Sequence, residues 1–298
     1  MKISTYLKIN AKYSNPFVFS LTSRGFYSEI NNLLNAILFG LITKRRLYVD
    51  QSSFAGGDLK WADLYQSDLP WVTKDIQDLV DPRWIIEGVE GTGFWDISSF
   101  INERHRNRIF FLLRSYGFYG GIFAAKRHLA HQFCQPVVPL NWPESLQLPY
   151  AAIHVRRGDK IKGYISPRSG ELIIDGDQVI LDEYLSILRR RSPHLKSLFV
   201  MTDDYQVIDE LQTIDPSLNI FTFCEKEEQG YTQDEFNGLG SQSKTMAIRK
   251  LISEVDIACN SQVFVGCYKS NVSRYVALAH KYPKQCYSAD AQKKWDPC

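Results

Sequence analysis

Tyr150-Ala151-Ala152-Ile153-His154-Val155-Arg156-Arg157-Gly158-Asp159-Lys160 is the stretch on which the fold turns. Tyr150 to Val155 is a short apolar run with β-branched and aromatic residues, the composition of a buried strand. The five positions after it hold two arginines, a glycine, an aspartate and a lysine. A strand with such an ending carries charge to the rim of a sheet. In open α/β proteins the rim at the carboxyl ends of the strands is where ligands bind. The cluster suits a diphosphate, because an arginine guanidinium presents a planar fork that holds phosphate oxygens bidentately and stays charged at physiological pH. Gly158 lets main chain come close to a ligand. Asp159 can orient an arginine or accept from a hydroxyl, and Lys160 adds a mobile positive charge. Solvated ion pairs at a strand end are the competing explanation, and such pairs are worth little. Placement between a buried strand and a Gly-Asp-Lys turn favours binding.

The surrounding chain has 298 residues, enough for two domains or one large one. Hydrophobic residues at 44% and charged residues at 23% are ordinary globular values and argue against disorder. A net charge of +2 is too mild to point to nucleic acid. The six cysteines show neither Cys-x-x-Cys pairing nor zinc-like His spacing, and several sit in apolar runs as buried thiols. Cys286 and Cys298 could pair in an oxidising compartment, which the sequence leaves open. Met1 to Asn15 has neither a signal core nor a transit-peptide composition, and no stretch reaches the length of a membrane span. The expectation is a soluble, cytoplasmic protein.

Pro16 to Leu21 reads as a first strand. A loop containing Arg24 and Gly25 leads to an amphipathic helix, Glu29 to Leu41, with Ile30, Leu33, Leu34, Ile37, Leu38 and Leu41 on one face and Ser28 as its N-cap. Lys44-Arg45-Arg46 closes the helix with positive charge, and Leu47 to Val49 is a second strand, so the chain opens as a βαβ unit. Residues 51–145 are less legible: a helix over Asn102 to Arg114, an aromatic loop over Tyr116 to Gly121, and a helix from Ile122 to Phe133. Pro136 to Pro149 holds four prolines and reads as a linker, which divides the chain into domains 1–145 and 146–298.

Beyond the central strand, residues 161–176 form a glycine-containing loop that could serve as a flap. A helix follows over Leu181 to Arg191, then a strand over Ser197 to Met201 that ends in Thr202-Asp203-Asp204. Val207 starts the next helix, and Ile220 to Phe223 is a strand. Met246 to Ala258 has helical periodicity and holds Glu254; Gln262 to Gly266 is a strand, and Cys267 to Arg274 opens a helix running to Ala279. The start of that last helix, with free amides, the Ser270 hydroxyl and the Asn271 amide side chain, is a ready anion site.

His154-Val155-Arg156-Arg157-Gly158-Asp159-Lys160 resembles the donor-binding signature of the fucosyltransferase superfamily. The α1,6 enzymes carry His-Val-Arg-Arg-Thr-Asp-Lys there, and the α1,2 enzymes His-x-Arg-Arg-Gly-Asp-Tyr. Thr202-Asp203-Asp204 is similar to a strand-terminal Thr-Asp-Asp of the α1,6 family, and Lys269 to Arg274 to its Ser-Ser-Gln-Val-Cys-Arg. Glu254 falls where that family has a donor-contacting aspartate, and Gly25 where it has a glycine facing the active-site cleft.

The resemblance implies a GT-B-like α/β fold with two Rossmann-like domains facing a cleft. It also implies an inverting glycosyltransferase that moves a sugar from a nucleotide diphosphate, GDP-fucose favoured, to a hydroxyl of an oligosaccharide or glycoprotein. No cofactor and no metal are expected, because arginines take the place of a divalent ion. The implied donor-binding set is Gly25, His154, Arg156, Arg157, Lys160, Asp203, Asp204, Glu254, Ser270, Asn271 and Arg274. Arg157 is the residue whose truncation is expected to abolish donor binding. Where the α1,6 family places a glutamate proposed as general base, this chain has Tyr164, which leaves Asp159, Glu29 and Glu171 as candidates. Arg157, Asp159 and Glu29 make up the catalytic set. UDP-xylose on the same frame, or a glycan- or nucleotide-binding module without catalysis, are the alternatives.

Overall fold

The structure, a computed structural model, describes residues 1–56, 58–87, 106–137, 142–143, 146–159, 163–165, 172–173, 179–290 and 295. The chain divides into two compact units, Met1–Pro139 and Leu140–Asp296. Both are α/β with parallel sheets.

The first unit is built on strand β1 (Asn15–Ser20), flanked in parallel by β2 (Arg45–Asp50) and β3 (Ile85–Glu87). A helix over Ile3–Asn10, not foreseen from the sequence, precedes β1; the Asn10 side chain fixes it by exchanging two hydrogen bonds with the main chain of Leu47. The helix joining β1 to β2 spans Phe26–Thr43 and is almost wholly buried. It begins about one turn's width earlier than the sequence suggests. Gly25 is its N-cap, and Ser28 lies inside it, donating its amide to the Gly25 carbonyl at 2.8 Å. The helix ends on Lys44 in the left-handed region at φ 54°, and Arg45 and Arg46 belong to β2 instead of the helix end. β3 lies in the stretch whose pattern is least legible, because three residues give no periodicity to read.

The second unit carries a five-stranded parallel sheet: β4 (Ala151–Val155), β7 (Ser197–Thr202), β8 (Asn219–Phe221), β9 (Val263–Gly266) and β10 (Cys286–Ser288), in the order β10-β9-β4-β7-β8. The two-residue pair β5 (Tyr164–Ile165) and β6 (Leu172–Ile173) falls within the predicted flap. Every residue of β4 is buried. Alternation puts Ala151, Ile153 and Val155 into a core shared with Leu185 and Leu188 of the helix Leu181–Arg191. Burial of a side chain of this kind stabilises by roughly 1.5–3 kcal/mol. The strand's place is therefore set by its apolar members, and its polar tail goes where they put it. His154, on the opposite face, meets Ser273 of the helix Asn271–Ala279.

Chain order reverses at β4. From it the chain runs outward to β7 and β8, then crosses back to β9 and β10 on the other side. Adjacent strands whose connections diverge leave a crevice at their carboxyl ends, the usual ligand position of such sheets. Here that point lies between β4, ending in Arg156-Arg157, and β9, leading into the helix Asn271–Ala279. Gly266 closes β9 against that helix: a Cβ there would lie 2.5 Å from Ser273 Oγ and 2.8 Å from Phe264 Cζ. Gly266→Ala is expected to destabilise the protein by about 1–3 kcal/mol through overpacking. Urea denaturation checks this, and an unchanged midpoint would contradict the packing described.

Candidate functional site

Asp203, one residue past β7, organises the turn after β4. Its Oδ1 accepts from the Arg157 amide at 2.8 Å, and its Oδ2 from the amides of Gly158 at 3.0 Å and Tyr231 at 3.2 Å. Main chain closes the same junction: the Asp159 amide donates to the Tyr231 carbonyl at 2.9 Å, and the Gly230 amide to the Asp203 carbonyl at 2.6 Å. Gly158 is needed here, because a Cβ would sit 2.0 Å from the Tyr231 carbonyl oxygen. The close approach foreseen at Gly158 is thus made by the chain's own main chain. Asp203 and Asp204 were both expected to read the donor. Asp203 instead spends both oxygens on amides, and Asp204 accepts from the Gln206 amide at 3.0 Å where the helix Gln206–Ile214 begins.

The two arginines have different partners. Arg157 donates from both terminal nitrogens to Glu210, at 2.7 and 2.6 Å, a closed bidentate pair on the helix Gln206–Ile214. The pairing raises the Arg157 pKa and lowers that of Glu210. The Arg157 fork, expected to hold phosphate, is occupied by a carboxylate that the sequence reading did not single out. Arg156 donates from Nη2 to Asp159 at 2.7 Å, and its guanidinium lies 5.0 Å from the centre of the Tyr231 ring. Its Nε is buried without a hydrogen-bond partner among the described residues and lies 3.9 Å from Asp203. The two arginines, both just past the last residue of β4, thus meet different elements: Arg157 the helix Gln206–Ile214, and Arg156 its neighbour Asp159 and the ring of Tyr231.

His154 is a core residue. Burial, with the nearby charge of Arg156, pulls its pKa down to about 4, so the ring is neutral at pH 7 and bonds Ser273 Oγ through Nδ1 at 2.7 Å. Arg156 and the helix Asn271–Ala279 therefore share this ring as a neighbour. At the helix start the Ser270 hydroxyl caps the Ser273 amide at 3.5 Å, and the Ser270 carbonyl accepts from the Arg274 amide at 2.9 Å. Asn271 is the first residue of the helix. The Arg274 guanidinium stacks 4.5 Å from the Tyr268 ring, with Nε buried and lacking a hydrogen-bond partner among the described residues. Asp290 steadies the loop before the helix by accepting from the amides of Tyr268 at 2.6 Å and Lys269 at 3.2 Å. Main-chain amides at the ends of both β4 and β9 are thus tied down by carboxylates.

Glu254, on the helix Ser241–Asn260, is buried with Oε1 unpartnered among the described residues. Burial chiefly pushes its pKa up to about 8, against the lowering effect of Lys250, so it holds a proton at pH 7. Gly25 and Glu29 belong to the first unit. Glu29 has no exposed surface; its Oε2 accepts from the Thr22 amide at 2.7 Å, and burial raises its pKa to about 7. Its Oε2 ties down the turn after β1, and its Oε1 is buried without a hydrogen-bond partner among the described residues. Lys160, Glu171 and Cys298 lie outside the described residues, as does the side chain of Tyr164. Tyr231, Glu210 and Asp290 are site residues the sequence reading missed. Only Gly230, at φ 106°, marks a turn beside any of them.

No helix among the described residues is long and apolar enough to cross a membrane. No protein-family model matches the chain, and no curated protein matches it significantly. Among the solved structures to which it is similar over most of its length are fucosyltransferases. The fucosyltransferase NodZ from Bradyrhizobium shares 12% identity at a TM-score of 0.48, covering 90% of this chain and 94% of that one. POFUT1 in complex with GDP shares 14% at a TM-score of 0.45, covering 92% and 97%. A mutant Arabidopsis thaliana FUT1 in complex with GDP shares 12% at a TM-score of 0.44, covering 93% and 71%. The superpositions are loose, so the functional reading below rests on this chain's own residues.

Glu254 supplies a test of the buried cluster. The folded chain keeps its proton up to about pH 8, whereas a carboxyl of ordinary pKa, 4.5, has lost it. The folded state binds more protons over that interval, so this group's contribution to stability falls as pH rises through it. Glu254→Gln cannot ionise and is expected to flatten that slope, gaining on the parent as pH rises from 4.5 to about 8. Urea midpoints across this range check it. Parallel curves for parent and variant would contradict it.

Proposed function

We propose that the second unit binds a nucleotide diphosphate sugar, GDP-fucose favoured, and that the protein is an inverting glycosyltransferase acting on a glycan hydroxyl without a metal ion. The observation that carries this reading is the position of Arg156. It stands at the end of β4, at the switch point of the sheet, and shares His154 as a neighbour with the helix that starts at Asn271. An unclosed guanidinium and a helix start together favour a dianionic ligand, since a helix start has amides without an intrahelical partner and carries positive potential. The motif resemblance supports the same choice of ligand.

In this reading Arg156 holds the diphosphate, with Ser270, Asn271 and Arg274 at its distal phosphate. Arg157 acts indirectly, bracing the turn through Glu210. The acceptor oxygen attacks the anomeric carbon from the face opposite the leaving group. The bond from that carbon to the phosphate oxygen breaks, and its electron pair leaves with the nucleoside diphosphate. Arg156 and the helix start stabilise the charge that grows on the leaving phosphate, an interaction stronger at the transition state than before it. The acceptor's proton passes to a carboxylate. Asp159 is our candidate: it is partly exposed in the same turn as Arg156, whereas Glu29 is fully buried. Lys160 and Glu254 complete the proposed donor contacts.

Two measurements test the reading. Incubation of the protein in EDTA with GDP-fucose, UDP-xylose and other nucleotide sugars is expected to give a thermal shift and slow release of nucleotide with one donor. Silence across the panel would favour a binding module for another ligand. Arg156→Ala is expected to weaken donor binding by at least about 30-fold, the effect of removing one partner from a buried charge pair. Arg157→Ala is expected to weaken it several-fold less. Calorimetric titration reads both, and the opposite ranking would return the phosphate to Arg157.

A further inference from the structure

We propose that Tyr231 is a positioning residue for donor binding: its ring holds the Arg156 guanidinium in the orientation that meets the diphosphate. The inference rests on the donor-binding reading above and adds a residue outside every motif discussed. Tyr231 lies between β8 and the helix Gln233–Gly238. Its main chain is fixed on both sides: its amide donates to Asp203, the carboxylate that also holds the turn carrying Arg156, and its carbonyl accepts from the Asp159 amide of that turn. The contact of Gly158 with the Tyr231 carbonyl leaves no room for the two segments to shift apart in register.

The side chain is held as firmly. The Tyr231 hydroxyl donates to Gln233 Oε1 at 2.9 Å, and the ring packs on Phe236 with centroids 5.9 Å apart. Over this ring lies the Arg156 guanidinium, 5.0 Å from its centre, while Asp159 takes Nη2. A guanidinium over an aromatic face is attracted by the ring quadrupole yet keeps its in-plane N–H groups for other partners. Asp159 and Tyr231 thus restrict Arg156 from two directions without closing its fork, in contrast to Arg157, whose terminal nitrogens are both taken by Glu210. Ordering the side chain before the ligand arrives removes part of the cost of binding.

The test uses the full chain with GDP in a double-mutant cycle. Tyr231→Leu keeps the main-chain bonds and apolar bulk but removes the ring. It is expected to raise the Kd for GDP about 3- to 30-fold, the range for a partly desolvated cation–π contact, with the melting temperature of the ligand-free protein nearly unchanged. Tyr231→Phe keeps the ring and is expected to restore parental affinity to within about twofold. In an Arg156→Ala background, Tyr231→Leu is expected to add nothing, because the ring then has no guanidinium to hold. Tyr231→Met makes the same comparison should the leucine variant fail to fold. A parental Kd in Tyr231→Leu, a loss equal in Tyr231→Phe, or losses that add in the cycle would each overturn the inference. Parental protein that binds no nucleoside diphosphate at all would overturn the donor-binding reading first, and the role of Tyr231 with it.

Discussion

Three main-chain amides converge on the carboxylate of Asp203, and the geometry of the carboxyl edge of the second unit's sheet depends on that convergence. Hydrogen bonds to a charged acceptor are each worth about 1.5–3 kcal/mol. Asp203 also joins segments far apart in the chain: the end of β7, the turn after β4, and the segment at Gly230-Tyr231. Without this acceptor the amides of Arg157 and Gly158 would have to find water, and the turn could swing about the end of β4. With it, the turn has one conformation, and the direction in which each arginine leaves the main chain is set. Asp290 does the same for Tyr268 and Lys269 at the end of β9. Carboxylates fill both amide clusters, so in the proposed reading the ligand's charge is met by side chains and by the helix beginning at Asn271.

That division of labour separates two residues that look equivalent in sequence. Arg156 and Arg157 both lie past the end of β4 and differ in the partners they meet. One face of β4 carries its core toward the helices Leu181–Arg191 and Gln206–Ile214, where Glu210 waits for Arg157. The other face carries His154 toward Ser273, and Arg156, two residues on, turns to Asp159 and the Tyr231 ring, from where its charge helps to lower the His154 pKa. The burial that keeps His154 neutral also means that its ring adds no positive charge beside Arg156.

Much of this unit was legible in the sequence, and the limits have physical causes. β4, the helix Leu181–Arg191 and the helix ending at Ala279 are fixed by local hydrophobic pattern, and their boundaries follow it closely. The helix Ile3–Asn10 and the strands β3 and β10 are short or weakly patterned and depend on tertiary contacts such as that of Asn10 with Leu47. In the site, residue types suited to a diphosphate were readable, but their partners were not. Nothing in the pattern around Glu210, Tyr231 or Asp290 indicates which loop or guanidinium each will meet, because the contacts span 22 to 75 positions in the chain. Asp203 was found for its acidity and strand-end place, and only the structure reveals that its oxygens serve the main chain.

A crystal structure of the full chain with GDP, grown in EDTA, addresses the assignment of the phosphate site most directly. The diphosphate is predicted to lie at the carboxyl ends of β4 and β9, with an oxygen within hydrogen-bond distance of Arg156 and another at the start of the helix Asn271–Ala279, and with the Arg157–Glu210 pair still closed. A diphosphate bound to Arg157 with Glu210 displaced, or a nucleotide bound away from these strand ends, would contradict the assignment.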